Sequence, residues 1–196
     1  MTAGEQAFQR FCLFNSIPCE KLAEAGTPVP DFTIEVGSAH VFVEVKDIEE
    51  DENFRGPVMT RTVGAHVRAK IGEARLQLQP VARSGVPTML LIYNALDPFQ
   101  AFGTEPHDFL AAMYGDLTVS IDLSSRRAGK PFHGRNRAMG ENKNTSFSAV
   151  GGLYARGESL SVVLYENVFA RNPLDYGALP ACFGARRVEL VQNEDA

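Results

Sequence analysis

The amino-acid sequence predicts a mixed α/β domain built around one sheet. Segments with helical hydrophobic periodicity and segments with strand-like alternation follow each other, and a continuous apolar run of strand length lies near the middle of the chain. The 196 residues are 44% hydrophobic and 22% charged, which is typical of a folded domain and excludes wholesale disorder. No Pro/Gly-rich linker divides the chain, so we expect a single domain over residues 1–196.

The first predicted elements are a helix and a hairpin. Apolar residues recur near helical spacing over Glu5–Phe14, which predicts a helix. Two alternating runs follow at 31–36 and 39–46, separated by the dipeptide Gly37-Ser38. A glycine-first dipeptide between alternating runs predicts a β-hairpin with a type II′ turn.

This turn fixes the register of the hairpin. With two residues in the turn, Asp31 is expected directly opposite Glu44, and Lys46 follows on the same face. The opposite face is apolar throughout and fits a core. The other face of the hairpin then carries Asp31, Thr33, Glu35, His40, Phe42, Glu44 and Lys46.

Later segments complete the mixed pattern. A helix over Thr62–Gln79, ending at Pro80, precedes the continuous apolar run Thr88–Tyr93, which we predict to be a buried central strand. Further on, we predict a helix at Glu105–Tyr114, a strand at Leu117–Leu123, a polar loop at Ser124–Asn144, and strands at Thr145–Tyr154 and Leu160–Tyr165.

Composition excludes several classes of protein. No apolar run approaches the roughly 18 residues needed to cross a bilayer, and the first residues do not resemble a signal peptide. Three cysteines without a C-x-x-C spacing favour neither a disulfide framework nor a zinc site. We therefore expect a soluble, cytoplasmic protein.

Charge is distributed unevenly along the chain. Residues 1–54 hold 11 acids and 3 bases, net −8, whereas residues 55–143 hold 12 bases and 7 acids, net +5. The net charge of −5 alone argues against a nucleic-acid partner. The separation nevertheless allows a carboxylate cluster to lie beside a cationic surface.

Two opposed carboxylates call for a cation. Like charges directly opposite each other in a sheet are destabilising, and a hard divalent ion such as Mg²⁺ binds carboxylate oxygens together with substrate phosphate. An ammonium from Lys46 beside Asp31 and Glu44 would position water or stabilise charge on phosphorus. The alternative is a solvated hairpin face on which the acids merely align, with Lys46 as a salt-bridge partner.

The sequence Pro30-Asp31, twelve further residues, then Glu44-Val45-Lys46 resembles the signature of the PD-(D/E)xK nuclease superfamily. The resemblance covers about residues 5–93 and implies a restriction-endonuclease-like αβββαβ core, a mixed central sheet flanked by helices, with additional C-terminal strands at 94–196. It implies a Mg²⁺- or Mn²⁺-dependent phosphodiesterase, most simply a DNA endonuclease. The alternative is a catalytically inactive module of this fold that binds nucleic acid or a protein partner.

The resemblance also assigns roles to residues. It implies that Asp31, Glu44 and the carbonyl of Val45 ligate the metal and that Lys46 is the catalytic lysine. Many members of the family add an acid from the first helix.

Glu5 is the candidate for that acid, with Glu20 and Glu24 as rivals. An acid favoured by the helix dipole is an equally simple account of Glu5. Gln77, on the helix after the motif, is the candidate for a further residue turned toward the site.

Basic residues predict contacts with a phosphate backbone. Sequence-tolerant binding of this kind needs cations on flexible loops and helix surfaces, although a merely solvated loop has the same composition. The predicted partner is nucleic acid, most simply DNA, with a homodimer as an option and no membrane. The candidates are Arg61, Arg68, Lys70, Arg126, Arg127, Lys130, Arg135 and Arg137.

Overall fold

The computed structural model describes residues 1–23, 26, 28–51, 61–97, 99–100 and 102–190. These residues form three α-helices, α1 (Ala3–Phe14), α2 (Ala65–Arg83) and α3 (Pro106–Tyr114). The strands are β1 (Cys19–Lys21), β2 (Phe32–Val36), β3 (Ala39–Asp47), β4 (Thr88–Tyr93), β5 (Leu117–Thr118), β6 (Ile121–Asp122), β7 (Arg127–Ala128), β8 (Phe132–His133), β9 (Ala149–Arg156), β10 (Ser159–Glu166) and β11 (Phe183–Arg186).

Seven of the strands form one mixed sheet in the order β1-β2-β3-β4-β9-β10-β11. The β1–β2, β2–β3 and β9–β10 pairs are antiparallel, and the β3–β4, β4–β9 and β10–β11 pairs are parallel. The elements up to β4 follow the order helix, three strands, helix, strand. The predicted mixed α/β class with a central sheet is therefore confirmed.

The hairpin has the predicted register. Val36 pairs with Ala39 and Phe32 pairs with Val43, so the ladder ends one position before Asp31 and Glu44. Gly37 takes a φ of 61°, which a type II′ turn requires of its first central residue.

The two faces of the sheet pack against different helices. The apolar face of the hairpin, including Phe32, Ile34 and Val43, is buried beneath Phe8 and Phe11 of α1. On the other face, α2 and α3 pack over the buried residues of β4 and β9. The sheet is thus the middle of three layers, and the polar side chains of the hairpin lie toward α2.

Helix α2 differs from its prediction at both ends. It begins at Ala65 because Gly64, with a φ of 74°, forms its left-handed N-cap. It continues through Pro80 to Arg83, so the predicted end at Pro80 is wrong. Pro80 has no N–H to donate to the carbonyl of Leu76, four residues earlier in the helix. Both residues are exposed, Leu76 by 68%, so water can bind that carbonyl instead.

The segment between α3 and β9 is less regular than predicted. The expected strand over Leu117–Leu123 is two short strands, β5 and β6, which pair with β8 and β7 from the expected loop. Residues 120–131 are all exposed, so these short ribbons have no core to extend them. Within the described ranges, no helix is both long and apolar enough to cross a bilayer.

Candidate active site

Side chains from four elements converge on one cavity of about 560 Å³, called here the site cavity. Helix α1 contributes Glu5, the residue before β2 is Asp31, strand β3 contributes Glu44 and Lys46, and helix α2 contributes Gln77. These are the residues for which the sequence predicted metal-binding or catalytic roles. Val45, the predicted carbonyl ligand, lines the same cavity.

Glu44 is the most deeply placed acid of this group. It is 2% exposed, its Oε1 lies 2.6 Å from Lys46 Nζ, and its Oε2 is buried without a hydrogen-bond partner among the described residues. The pKa of the Glu44 carboxyl is raised from 4.5 to about 7, because burial and the nearby Asp31 charge raise it by more than Lys46 lowers it. A buried carboxylate oxygen without a partner is costly for the fold and is therefore a place where a cation would bind favourably.

Asp31 is held by residues of β3 and β1. Its Oδ2 accepts a hydrogen bond of 2.9 Å from the backbone N–H of Val45, and its Oδ1 lies 3.1 Å from Lys21 Nζ. The same ammonium lies 2.8 Å from Glu5 Oε2, so Lys21 bridges the two carboxylates. This contact raises the pKa of Lys21 despite partial burial, which acts in the opposite direction.

Sequence reasoning missed Lys21. The signal lies in β1, which pairs antiparallel with β2 and places Lys21 opposite Phe32, the residue after Asp31. A three-residue strand carries too short a pattern to show this pairing beforehand.

The position of Glu5 follows from how α1 begins. The backbone N–H of Gly4 donates to both oxygens of Asp47, at 3.0 and 3.2 Å, and Thr2 caps the N–H of Glu5. A Cβ atom at Gly4 would collide with Asp47 Oδ1, so glycine permits this close approach. The end of β3 therefore anchors the first turn of α1 and directs Glu5 into the site cavity.

Glu20 and Glu24 are the two alternative acids that the sequence offers for this role. Glu20 is exposed on β1 and is not among the described residues that line the site cavity. Glu24 lies outside the described residues. Glu5 is thus the acid from the first segment that the structure places beside Asp31 and Glu44.

Helix α2 closes the cavity with a polar stripe. Lys70, Glu73 and Gln77 recur at helical spacing and all line the cavity. Lys70 pairs with Glu73 at 2.9 Å, whereas Gln77 Oε1 is buried without a hydrogen-bond partner among the described residues. Lys70, predicted to contact nucleic acid, thus belongs to the wall of the site.

The site cavity is strongly acidic. Its described lining contains six carboxylates against the two ammonium groups of Lys46 and Lys70. Oxygen-rich, negatively charged surroundings with a partnerless carboxylate oxygen fit a hard divalent cation, and the donor set contains no sulfur or imidazole that would favour a softer metal. Glu5, Asp31 and Glu44 are the residues that would hold such an ion.

A second acidic group lies outside the site cavity. Ligand atoms of Glu105, His107 and Asp108 at the start of α3 lie within 4.8 Å of one another. The guanidinium of Arg61 already binds this group, with Nη1 2.6 Å from Asp108 Oδ1 and Nη2 on Glu105, and Gly64 N–H donates to Asp108 at 2.8 Å. The arginine supplies the positive charge there, and the N–H of Glu105 donates to Asp108 at 3.1 Å, which caps the start of α3.

The predicted phosphate contacts divide into two sets. Arg61 is bound to two carboxylates, and Arg68 is bound to Asp116 at 3.1 Å and to two backbone carbonyls. The prediction that these two contact nucleic acid therefore receives no support from the structure. The others are exposed on and after the short ribbons, namely Arg126, Arg127, Lys130, Arg135 and Arg137.

Comparisons of the chain with protein-family models, with curated proteins and with solved structures give no match. The function must therefore be argued from the geometry of the site itself.

Proposed function

We propose that this protein is a metal-dependent nuclease of the PD-(D/E)xK type that hydrolyses phosphodiester bonds, most simply in DNA. The convergence of Glu5, Asp31, Glu44 and Lys46 in one cavity carries the proposal. These residues come from three separate elements and include a buried acid with a partnerless oxygen, which a solvated hairpin face would not possess.

Each residue has a distinct part in this proposal. Asp31, Glu44 and Glu5 would hold one or two Mg²⁺ or Mn²⁺ ions, and the carbonyl of Val45 would be a further candidate ligand. Lys46 orients the attacking water and stabilises negative charge on the phosphoryl oxygens, because its ammonium lies beside Glu44. When bound, the metal supplies the Lewis acidity that the phosphate and the water require.

Gln77 completes the site on the α2 side. Its buried amide oxygen has no partner among the described residues, so it is available to accept a hydrogen bond from the attacking water. Lys21 acts differently, since it holds Glu5 and Asp31 together and thereby positions two of the ligands.

The test is cleavage of labelled single-stranded DNA, duplex DNA and RNA with Mg²⁺ or Mn²⁺. We expect Asp31→Asn, Glu44→Gln and Lys46→Met each to lower the cleavage rate by about 100-fold or more. Glu35→Gln is the matched control, because Glu35 lies on the same strand face but is exposed beside the hairpin turn.

The control should keep the wild-type rate. Circular dichroism and thermal melting establish that each variant is folded. Wild-type rates in folded Asp31→Asn and Glu44→Gln, or absence of metal-dependent cleavage of all three substrates by the wild type, would reject the proposal and leave a binding module.

A further inference from the structure

A second cavity, of about 470 Å³, lies on the other side of α2 and is called here the cationic cleft. Its α2 wall includes Arg68, Gly72, Arg75 and Gln79, which recur at helical spacing, together with the buried Ile71. The site cavity uses Lys70, Glu73 and Gln77 from the same helix. At 3.6 residues per turn, these two stripes lie on roughly opposite sides of α2, so the helix is a common wall between the cavities.

The cleft has the opposite charge to the site cavity. Arg68, Arg75, Lys143 and Arg171 line it, and no carboxylate is among its described lining residues. Arg75 and Arg171 are exposed, and within the described ranges neither guanidinium has an ion-pair partner. Two unpaired guanidinium groups facing one cleft favour an anionic ligand with several oxygens.

Gly72 gives an independent indication that this cleft binds something. Glycine in a helix interior is unfavourable. The backbone of Gly72 does not have the positive φ that would require glycine. Packing does not require glycine either, because an added Cβ would meet no atom within 4 Å outside its own helix. The absent side chain instead keeps the wall of the cleft open to the backbone of α2.

We infer that the cationic cleft binds phosphodiester groups of the same nucleic-acid strand whose scissile bond enters the site cavity. The inference rests on the proposed function for its ligand. The acidic site cavity by itself repels phosphates, so the affinity for the strand must come from cations elsewhere. A helix with its side chains is about 10–12 Å across, so a strand crossing α2 spans a few nucleotides between the two cavities.

The experiment measures binding apart from chemistry. Fluorescence anisotropy in EDTA reports the affinity of a labelled single-stranded DNA of about twelve nucleotides. We expect the double variant Arg75→Ala/Arg171→Ala to bind about 10- to 100-fold more weakly. The slope of log K against log salt should fall by about 1.4, since each phosphate contact on a single strand contributes about 0.7.

The matched control removes the same charge outside the cleft. Arg83→Ala/Arg186→Ala deletes two exposed arginines, from the last turn of α2 and from β11, and should bind like the wild type. Equal weakening in both double variants would show an effect of net charge alone and would overturn the assignment.

Gly72→Gln tests the cleft without removing charge. We expect an equal or higher melting temperature, because glutamine is the better helix former, together with weaker DNA binding, because its side chain fills the cleft. Wild-type affinity in this variant would contradict the inference.

Inorganic phosphate at constant ionic strength separates a strand from a free anion. If millimolar phosphate abolishes the whole difference in DNA affinity between the wild type and the Arg75→Ala/Arg171→Ala variant, the cleft binds small anions and the strand assignment is rejected. These binding assays contain no metal and are therefore independent of cleavage. If the cleft variants bind DNA more weakly but the wild type cleaves no substrate, only the nuclease proposal is refuted. An active nuclease with normal binding in the cleft variants would refute the cleft alone.

Discussion

Lys46 Nζ lies 2.6 Å from Glu44 Oε1, two residues earlier on the same strand and the same face of the sheet. The two partners differ in solvent exposure: the Lys46 side chain is 23% exposed, whereas that of Glu44 is 2% exposed. Lys46 can therefore exchange its partner for water, whereas Glu44 cannot. Loss or neutralisation of Glu44 and of Lys46 should accordingly have different consequences for the fold.

Glu44 should make stability depend on pH. Burial raises the pKa of its carboxyl from 4.5 to about 7, so the folded state binds this proton more tightly than the unfolded state. This contribution to the free energy of unfolding is fully present below about pH 4.5 and is lost as pH rises through about 7. Glu44→Gln keeps the shape without the charge, and should gain up to ~3 kcal/mol over the wild type at pH 8.

Urea denaturation in EDTA at pH 5 and pH 8 checks this prediction. The advantage of Glu44→Gln should shrink toward pH 5, where the wild-type carboxyl is mostly protonated. Glu35→Gln, at the exposed end of the hairpin, should follow the wild type at both values. A Glu44→Gln variant that is destabilised equally at both pH values would contradict the account.

Manganese should stabilise the protein through the site cavity. An ion at about 100 times its Kd adds ~2.7 kcal/mol, which for a chain of this length is roughly 5–10 °C in Tm. Asp31→Asn should abolish the shift, because it removes a proposed ligand. His107→Ala, in the other acidic group of the structure, is the control and should keep the shift.

Arg61 should prove structural. Asp108 is fully buried and depends on the Arg61 guanidinium, so Arg61→Ala leaves a buried carboxylate without its main counter-ion. We expect a loss of ~2–4 kcal/mol in the free energy of unfolding, measured by urea denaturation. Arg126→Ala, on the exposed ribbon, should cost less than ~0.5 kcal/mol.

A measurement of DNA affinity distinguishes a structural role of Arg61 from a contact between Arg61 and phosphate. Arg61→Ala, measured well below its Tm, should bind DNA in EDTA as the wild type does. A folded Arg61→Ala variant with normal stability and weak DNA binding would restore the sequence-based assignment.

Gln77 should matter for activity more than for stability. Its Oε1 is buried without a partner among the described residues, so Gln77→Leu removes an unsatisfied polar group and should leave stability equal or raise it by ~1 kcal/mol. The cleavage rate should fall by about 10- to 100-fold, as expected when a residue that positions water is lost. Gln9→Leu, at an exposed position of α1, is the control and should cleave normally.

Local rules predicted the part of the site that lies on the hairpin. A two-residue turn determines which positions pair, and alternation determines which side chains share a face, so Asp31, Glu44 and Lys46 could be grouped from sequence alone. The apolar run of β4 was equally clear, and its bounds, Thr88–Tyr93, were predicted without error.

Residues whose partners are distant in sequence were beyond such rules. Lys21 joins the site only through the pairing of β1 with β2, and Arg61 finds its buried counter-ion only because α3 brings Asp108 to it. The cationic cleft likewise depends on Arg171, which lies 96 residues after Arg75 and shows no pattern in common with it. Only the packing of the whole chain reveals these groups.

The attachment of α1 to the end of β3 has a practical consequence for protein production. Thr2 lines the site cavity, and the N–H of Gly4 donates to Asp47, so the residues just before α1 lie beside the proposed catalytic groups. A purification tag fused directly ahead of Met1 would begin one residue from this cavity. Preparations intended for assay should therefore carry a cleavable amino-terminal fusion, removed before any rate is recorded.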